Sequence, residues 1–198
     1  MFYLYDTALV EDLRSLFQDS RISICPPDQV FKIWGELEND TIEMPIISVL
    51  RSGTSLGNSQ HSMRFTGGLF AVDPITKKNN KIQAIPIQIN YLLDVWTKHR
   101  EENDNIVREL IFWYMTHPTL KVKIPYGTGL EHNFNIFYDS NIEDNSDISD
   151  HPNRGEYFRT TLSVYTDDAY LWKSTINKPT YITGVDLYVK DGDKYVQD

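Results

Sequence analysis

The chain has a single cysteine, Cys25, among its 198 residues, so no disulfide can form within it. That fits folding in a reducing compartment. Cys25 stands in Ile22-Ser23-Ile24-Cys25-Pro26-Pro27, a short strand running into a turn. A nucleophilic thiol would need a nearby His or helix N-terminus to lower its pKa, and the plain reading is a small, semi-buried residue. No apolar stretch approaches the roughly 18 residues of a membrane span. The first residues, Met1-Phe2-Tyr3-Leu4-Tyr5-Asp6, lack the basic start and long apolar core of a signal peptide. The expectation is a soluble chain that does not follow the secretory route and has no membrane partner.

Positive charge is also scarce. The net charge is −9, with a pI near 5.0, and the basic residues form no run. Phosphate binding releases counterions only where Lys and Arg cluster, so specific nucleic-acid binding is not expected. Complete catalytic and cofactor motifs are missing as well. His61, His99, His117, His132 and His151 show no zinc-motif spacing, and His117 reads as a partner for the end of a helix dipole. The acids Asp139, Glu143, Asp144, Asp147 and Asp150 lack the Gly and terminal Glu that an EF-hand loop needs. Gly127 and Gly129 lack the third Gly, the Lys and the helix of a phosphate cradle. They read as a turn between strands, and Gly67-Gly68 as a bend or bulge. Gly53-Thr54-Ser55-Leu56-Gly57 has Gly-x-Ser-x-Gly spacing, but it stands in the Ser-, Gly- and Asn-rich stretch and no helix pattern follows it, as that motif requires. The expectation is a non-enzyme with no cofactor and no metal.

What is present is a globular composition, 40% hydrophobic and 24% charged, enough for a core. Aromatics are plentiful, with 12 Tyr, 9 Phe and 4 Trp; such residues serve cores and interfaces alike. Leu9, Leu13, Leu16 and Phe17 recur at helical spacing behind Asp6 or Thr7 as cap. Val30, Phe31, Trp34 and Leu37 predict a second, short helix. A strand follows over 45–51, and then a Ser-, Gly- and Asn-rich loop or hairpin over 52–68. Loops of that length tend to be functional.

The clearest period is in 85–97. Ile87, Ile89, Tyr91, Leu93 and Val95 alternate with Gln88, Asn90, Leu92, Asp94 and Trp96, as in a half-buried strand. A helix over 100–117 follows, acidic at its start and stopped by Pro118. Ile106, Val107, Leu110, Ile111, Tyr114 and Met115 form its apolar face. Phe112 and Trp113 widen that face beyond what a one-sided surface helix needs, which means either deep burial or a neighbouring subunit. Strands follow around Leu120–Tyr126, Phe134–Tyr138, 157–165 and 181–189, with a solvated acidic loop over 139–152 and a flexible tail at 191–198. The segregated order predicts a single α+β domain, a mostly antiparallel sheet with one long and one or two shorter helices on one face.

Segment 85–112, beginning Ile85-Pro86-Ile87-Gln88-Ile89-Asn90-Tyr91-Leu92-Leu93-Asp94-Val95-Trp96, resembles the tail terminator or tail-completion (neck) proteins of tailed bacteriophages. In that family a Pro-Ile-Gln-x-x-Tyr-x-Leu-x-Val-Trp-like strand precedes a polar turn and an amphipathic helix. Met44-Pro45-Ile46-Ile47-Ser48-Val49-Leu50-Arg51 before a long loop, and the N-terminal helix, are similar too. The order of elements matches over roughly 6–138, while the acidic loop and the C-terminal strands depart from the family pattern. The resemblance implies a virion protein made in the host cytoplasm, a cyclic homo-oligomer, usually a homo-hexamer, that caps the tail tube. Its partners would be copies of itself, the tail tube protein and head-completion or neck proteins, with DNA passing through the ring. Ile106, Leu110, Phe112 and Trp113 would serve the subunit interface. The 52–68 loop, with Arg51, His61 and Arg64, would face the lumen or a neighbouring ring. Alternatives are another head-completion, neck or baseplate structural protein, and a small enzyme without a recognisable motif.

Overall fold

The computed structural model describes residues 2–18, 21–29, 44–56, 69–72, 79–125, 129–146, 157–176, 189–191 and 194–196. The short helix expected around Val30–Leu37, most of the 52–68 loop, and the stretch from 181 to 188 lie outside these residues. The architecture is α+β, as expected: two helices and a mostly antiparallel sheet among the described residues.

Helix α1 spans Tyr3–Leu16. Strand β1, Ser23–Cys25, pairs in parallel with β2, Ile46–Leu56. The strand expected at 45–51 therefore runs on to Leu56, into what reads as loop. After β3, Leu69–Val72, come β4, Asn79–Thr97, and α2, Arg100–Thr116. Then follow β5 (Thr119–Lys123), β6 (Glu131–Asn135), β7 (Phe137–Asp144) and β8 (Phe158–Ile176). A small hairpin, β9 (Val189–Asp191) and β10 (Lys194–Val196), closes the order. Two loop expectations are corrected here: residues 139–144 belong to β7, with Ile142, Glu143 and Asp144 paired to β8, and residues 194–196, expected to be a flexible tail, are a strand of that hairpin.

The main sheet runs β1-β2-β4-β8-β7, with β3 also on β4. The alternation legible at Ile87, Ile89, Tyr91, Leu93 and Val95 is real, and every one of these side chains is buried. They form the core with Tyr5, Leu9 and Leu13 of α1, Ile106, Leu110 and Tyr114 of α2, and Leu120, Val122 and Phe134 of the β5–β6 hairpin. Both helices thus pack on one face of the sheet. Gly129, at φ +68, stands in the β5–β6 connection, where a residue without Cβ is cheapest.

On the opposite face, Arg159 of β8 donates to Asp94 of β4 at 2.9 Å and lies over the Trp96 ring at 4.8 Å from its centroid. Thr161 donates to the other Asp94 carboxylate oxygen at 2.6 Å. A buried carboxylate is tolerable only when paired and hydrogen-bonded in this way.

Two polar side chains pin the helices. Asn103 of α2 is buried and donates to the carbonyls of Val95 and Phe158, at 3.0 and 3.4 Å, while Thr160 donates to its Oδ1 at 2.6 Å. One amide thereby ties α2 to the ends of two strands. At the other side, β7 stops pairing at Tyr165, and β8 runs on with an open edge there. The Tyr5 hydroxyl of α1 covers it, accepting from the Tyr170 N–H at 2.7 Å and donating to the Tyr170 carbonyl at 2.9 Å. A hydroxyl is both donor and acceptor, so one side chain satisfies both backbone groups.

Tyr5→Phe keeps the ring but leaves both Tyr170 backbone groups without this partner. The expected cost is about 1–3 kcal/mol, read by urea denaturation; unchanged stability would show that water satisfies that edge equally well.

Candidate interaction surface

Helix α2 is where the sequence-derived site residues concentrate, and the structure divides them. Ile106 and Leu110 are buried, at 6% and 0% exposure, against the chain's own sheet and α1. They belong to the core of the chain itself, on one helical stripe with Asn103 and Tyr114. Phe112 lies on the outside, 64% exposed, and Met115 one turn on is 72% exposed. Met115, expected on the apolar face, therefore belongs to the outer one.

Trp113 is intermediate. Its Nε1 donates to Asp12 of α1 at 3.0 Å, and its ring stacks on His117 with centroids 4.4 Å apart. Burial pushes the Asp12 carboxyl above its ordinary pKa, against the opposing effect of the Trp113 hydrogen bond. Trp113 thus joins the two helices and is largely taken up within the chain. Tyr138 of β7 donates to the Leu110 carbonyl at 2.6 Å, which fixes the middle of α2 from the sheet side. At its end, Thr116 bonds back to the carbonyls of Phe112 and Trp113, and Pro118 follows.

Arg51 is also placed differently from expectation. It is a β2 residue, in register with Tyr91, and sits on the helix-bearing face. It donates to Asp6 Oδ2 at 3.0 Å and lies over the Phe2 ring. The Tyr91 hydroxyl donates to Asp6 Oδ1 at 2.9 Å. Arg51 is therefore bonded to α1 within its own chain. Asp6, expected as a helix cap, stands inside the first turn of α1 instead. Burial raises its pKa, with the Tyr91 hydrogen bond and the Arg51 charge pulling the other way. Sequence reading missed this cluster because nothing links positions 6, 51 and 91 locally. His61 and Arg64 lie outside the described residues.

A cleft of about 660 Å³ opens at the start of α2, lined by Arg21, Ile22, Met44, His99, Glu101 and Ile106 among others. It mixes both charge signs with apolar wall. Among the described residues no group of three or more His, Cys, Asp or Glu converges as metal ligands. Cys25 is buried, its Sγ 3.5 Å from the Pro26 carbonyl. No helix of the described residues is long and apolar enough to cross a membrane. No protein-family model matches the chain, and no curated protein is similar to it.

The surface that remains is the outer face of α2 with the adjoining β7 edge. Phe112 and Met115 stand there among exposed Glu101, Asp104, Arg108 and Glu109. Strand β7 adds exposed Ile142 and the acids Asp139, Glu143 and Asp144. Charges along an edge strand deter indiscriminate strand pairing, while a paired Phe and Met on an exposed helix face invite a specific partner.

The division of α2 is testable on dilute, monomeric chain. Leu110→Ala is expected to cost about 2–5 kcal/mol in urea denaturation, whereas Phe112→Ser with Met115→Gln changes stability by less than about 0.5 kcal/mol each. Equal losses would place Phe112 in the core. For Asp6, a pKa raised on folding means the native state holds more protons than the unfolded chain just above 3.8, the ordinary value. Stability from this group is then full below that pH and lost as pH rises through the raised value. Asp6→Asn is expected to remove that fall; the same slope in both proteins would show that Asp6 is not its source.

Proposed function

We propose that this chain is a structural subunit of a tailed-phage virion, closing into a ring at the head-proximal end of the tail, where it terminates the tail tube and joins it to the neck. The observation that carries the reading is the outer face of α2. A helix already packed through Ile106, Leu110 and Tyr114 presents Phe112 and Met115 outward, and an exposed apolar pair of this kind suits a contact between subunits. The resemblance of segment 85–112 to tail terminator proteins supports it, and those residues form β4 and α2 in the family's order. The net charge of −9 suits a passage through which DNA slides without adhering, since like charge repels phosphates.

Copies related by rotation meet through two different patches, a head-to-tail contact that closes into a ring. Function then resides in surfaces, with no reaction to perform. The family expectation is a homo-hexamer that also contacts tail tube and neck proteins.

Multi-angle light scattering of the purified 23.1 kDa chain, alone and with isolated phage tails, tests this. A closed hexamer, or a fixed small number of copies joining one tail end, is the expected result. A strict monomer that ignores tails overturns the reading.

A further inference from the structure

Helix α2 ends without a lysine or arginine in its last turn. A helix C-terminus favours a nearby cation, and the residue in place to supply one is His117, directly after Thr116. Its ring stacks on Trp113, with centroids 4.4 Å apart and planes 27° apart. Its Nδ1 lies 2.8 Å from Thr116 Oγ1. Behind the indole stands Asp12 of α1, which accepts from Trp113 Nε1 at 3.0 Å.

The hydrogen bonds of Thr116 assign the tautomer of this imidazole. Thr116 Oγ1 is 2.8 Å from the Phe112 carbonyl and 3.1 Å from that of Trp113. Carbonyl oxygens only accept, so the single hydroxyl proton is directed at them. Toward His117 the Thr116 oxygen is then an acceptor, and Nδ1 donates. That leaves Nε2 as the basic nitrogen, on an exposed residue. Imidazole is the side chain that ordinarily changes charge between about pH 5 and 8.

A proton at Nε2 leaves the Nδ1 hydrogen bond intact and adds three effects of one sign. A cation over an indole face is attracted to it. The carbonyl end of α2 favours positive charge. Asp12 gains an opposite charge across Trp113, and burial makes that carboxylate sensitive to such a partner. The neighbouring phenols, Tyr114 of α2 and Tyr138 of β7, stay neutral over this range because burial pushes both up. Glu11 and Arg14 of α1, Glu109 of α2, and Lys121 and Lys123 of β5 are exposed. The charge acting on Asp12 is that of His117.

From this arrangement, which does not depend on how copies of the chain meet, we propose that His117 is a proton-sensing cap on α2. Taking up a proton at Nε2 tightens the last turn of α2 against α1 through Trp113 and Asp12, and releasing it loosens that joint. The joint is tight on the acid side of the imidazole range and relaxes as pH rises through it. Exposed Met115 lies in the same turn, so the outer face of α2 carries this dependence to the surface.

Nitrogen-15 NMR of the full chain tests the proposal. The Trp113 indole N–H signal is expected to titrate between about pH 5 and 8, in step with the His117 ring nitrogens, which show the Nδ1–H tautomer on the alkaline side. The Trp96 indole, bonded to Ser48 Oγ, is the control and stays still. His117→Gln abolishes the Trp113 titration, and Asp12→Asn moves the His117 midpoint to lower pH. The amide of residue 117 donates to the Trp113 carbonyl at 2.7 Å. Relative to its intrinsic rate, that amide is expected to exchange more slowly at about pH 5 than at about pH 8, a difference lost in His117→Gln. A Trp113 signal that does not titrate, or a titration that survives His117→Gln, overturns the proposal. So does an unchanged midpoint in Asp12→Asn, equal protection of the amide at both ends of the range, or a Trp96 signal that moves in step. Should Asp12→Asn fail to fold, the wild-type chain and His117→Gln, changed at an exposed position, decide between these outcomes.

Discussion

The pairing of β4 with β8, from Asn80↔Ile176 to Thr97↔Phe158, is the constraint on which the other elements depend. It joins residues far apart in sequence, so the chain closes a long loop to make it, and only extensive burial offsets that loss of entropy. Once made, it offers two edges. Strand β2 takes one, from Ile46↔Trp96 to Leu56↔Ile87. Strand β7 takes part of the other. Both helices are then referred to this pair: α2 through Asn103, which bonds a carbonyl of each strand, and α1 through Tyr5 on the β8 edge.

Departures from regular pairing decide the shape. Between Ile89↔Thr166 and Ile87↔Ala169, β8 gains one residue over β4. Such a bulge bends a strand and sharpens its twist. It falls just past Tyr165, where β7 stops and the β5–β6 hairpin takes over, with His132 against the Asp168 carbonyl and Asn135 donating to its carboxylate. One inserted residue therefore separates the helix-covered sheet from the far ends of β4 and β8. Strand β7 has its own irregularity between Tyr138 and Ile142, which together with its acids makes the outer edge a poor template for unplanned pairing.

Helix α1 is held by groups that are costly to bury. Asp6 answers Tyr91 and Arg51, and Asp12 answers Trp113. Apolar packing alone tolerates small rotations of a helix, but a carboxylate taken out of water does not tolerate loss of its partners. These bonds fix which face of α1 meets the sheet and how α1 and α2 lie together. The consequence for the surface is that Trp113 and Arg51 are engaged internally, while Phe112, Met115, Leu56 and Ile85 are among the apolar groups offered outward.

The sequence by itself determined the α+β class, the β4 alternation, the extent of α2 with its stop at Pro118, and the β5 pattern of Leu120 and Val122. Each is a local matter, since period 2 or 3.6 and a missing proline N–H are read within one segment. It also marked α2 as too apolar for a surface helix, but not which residues were surplus. Tertiary structure alone decided that Ile106 and Leu110 turn inward, that Arg51 serves Asp6, that residues 139–144 form a strand, and that β4 and β8 outrun the core. Those outcomes depend on partners distant in the chain: a strand of acids is stable once β8 supplies its ladder, and a carboxylate reads as a helix cap until an arginine and a tyrosine from two strands close around it.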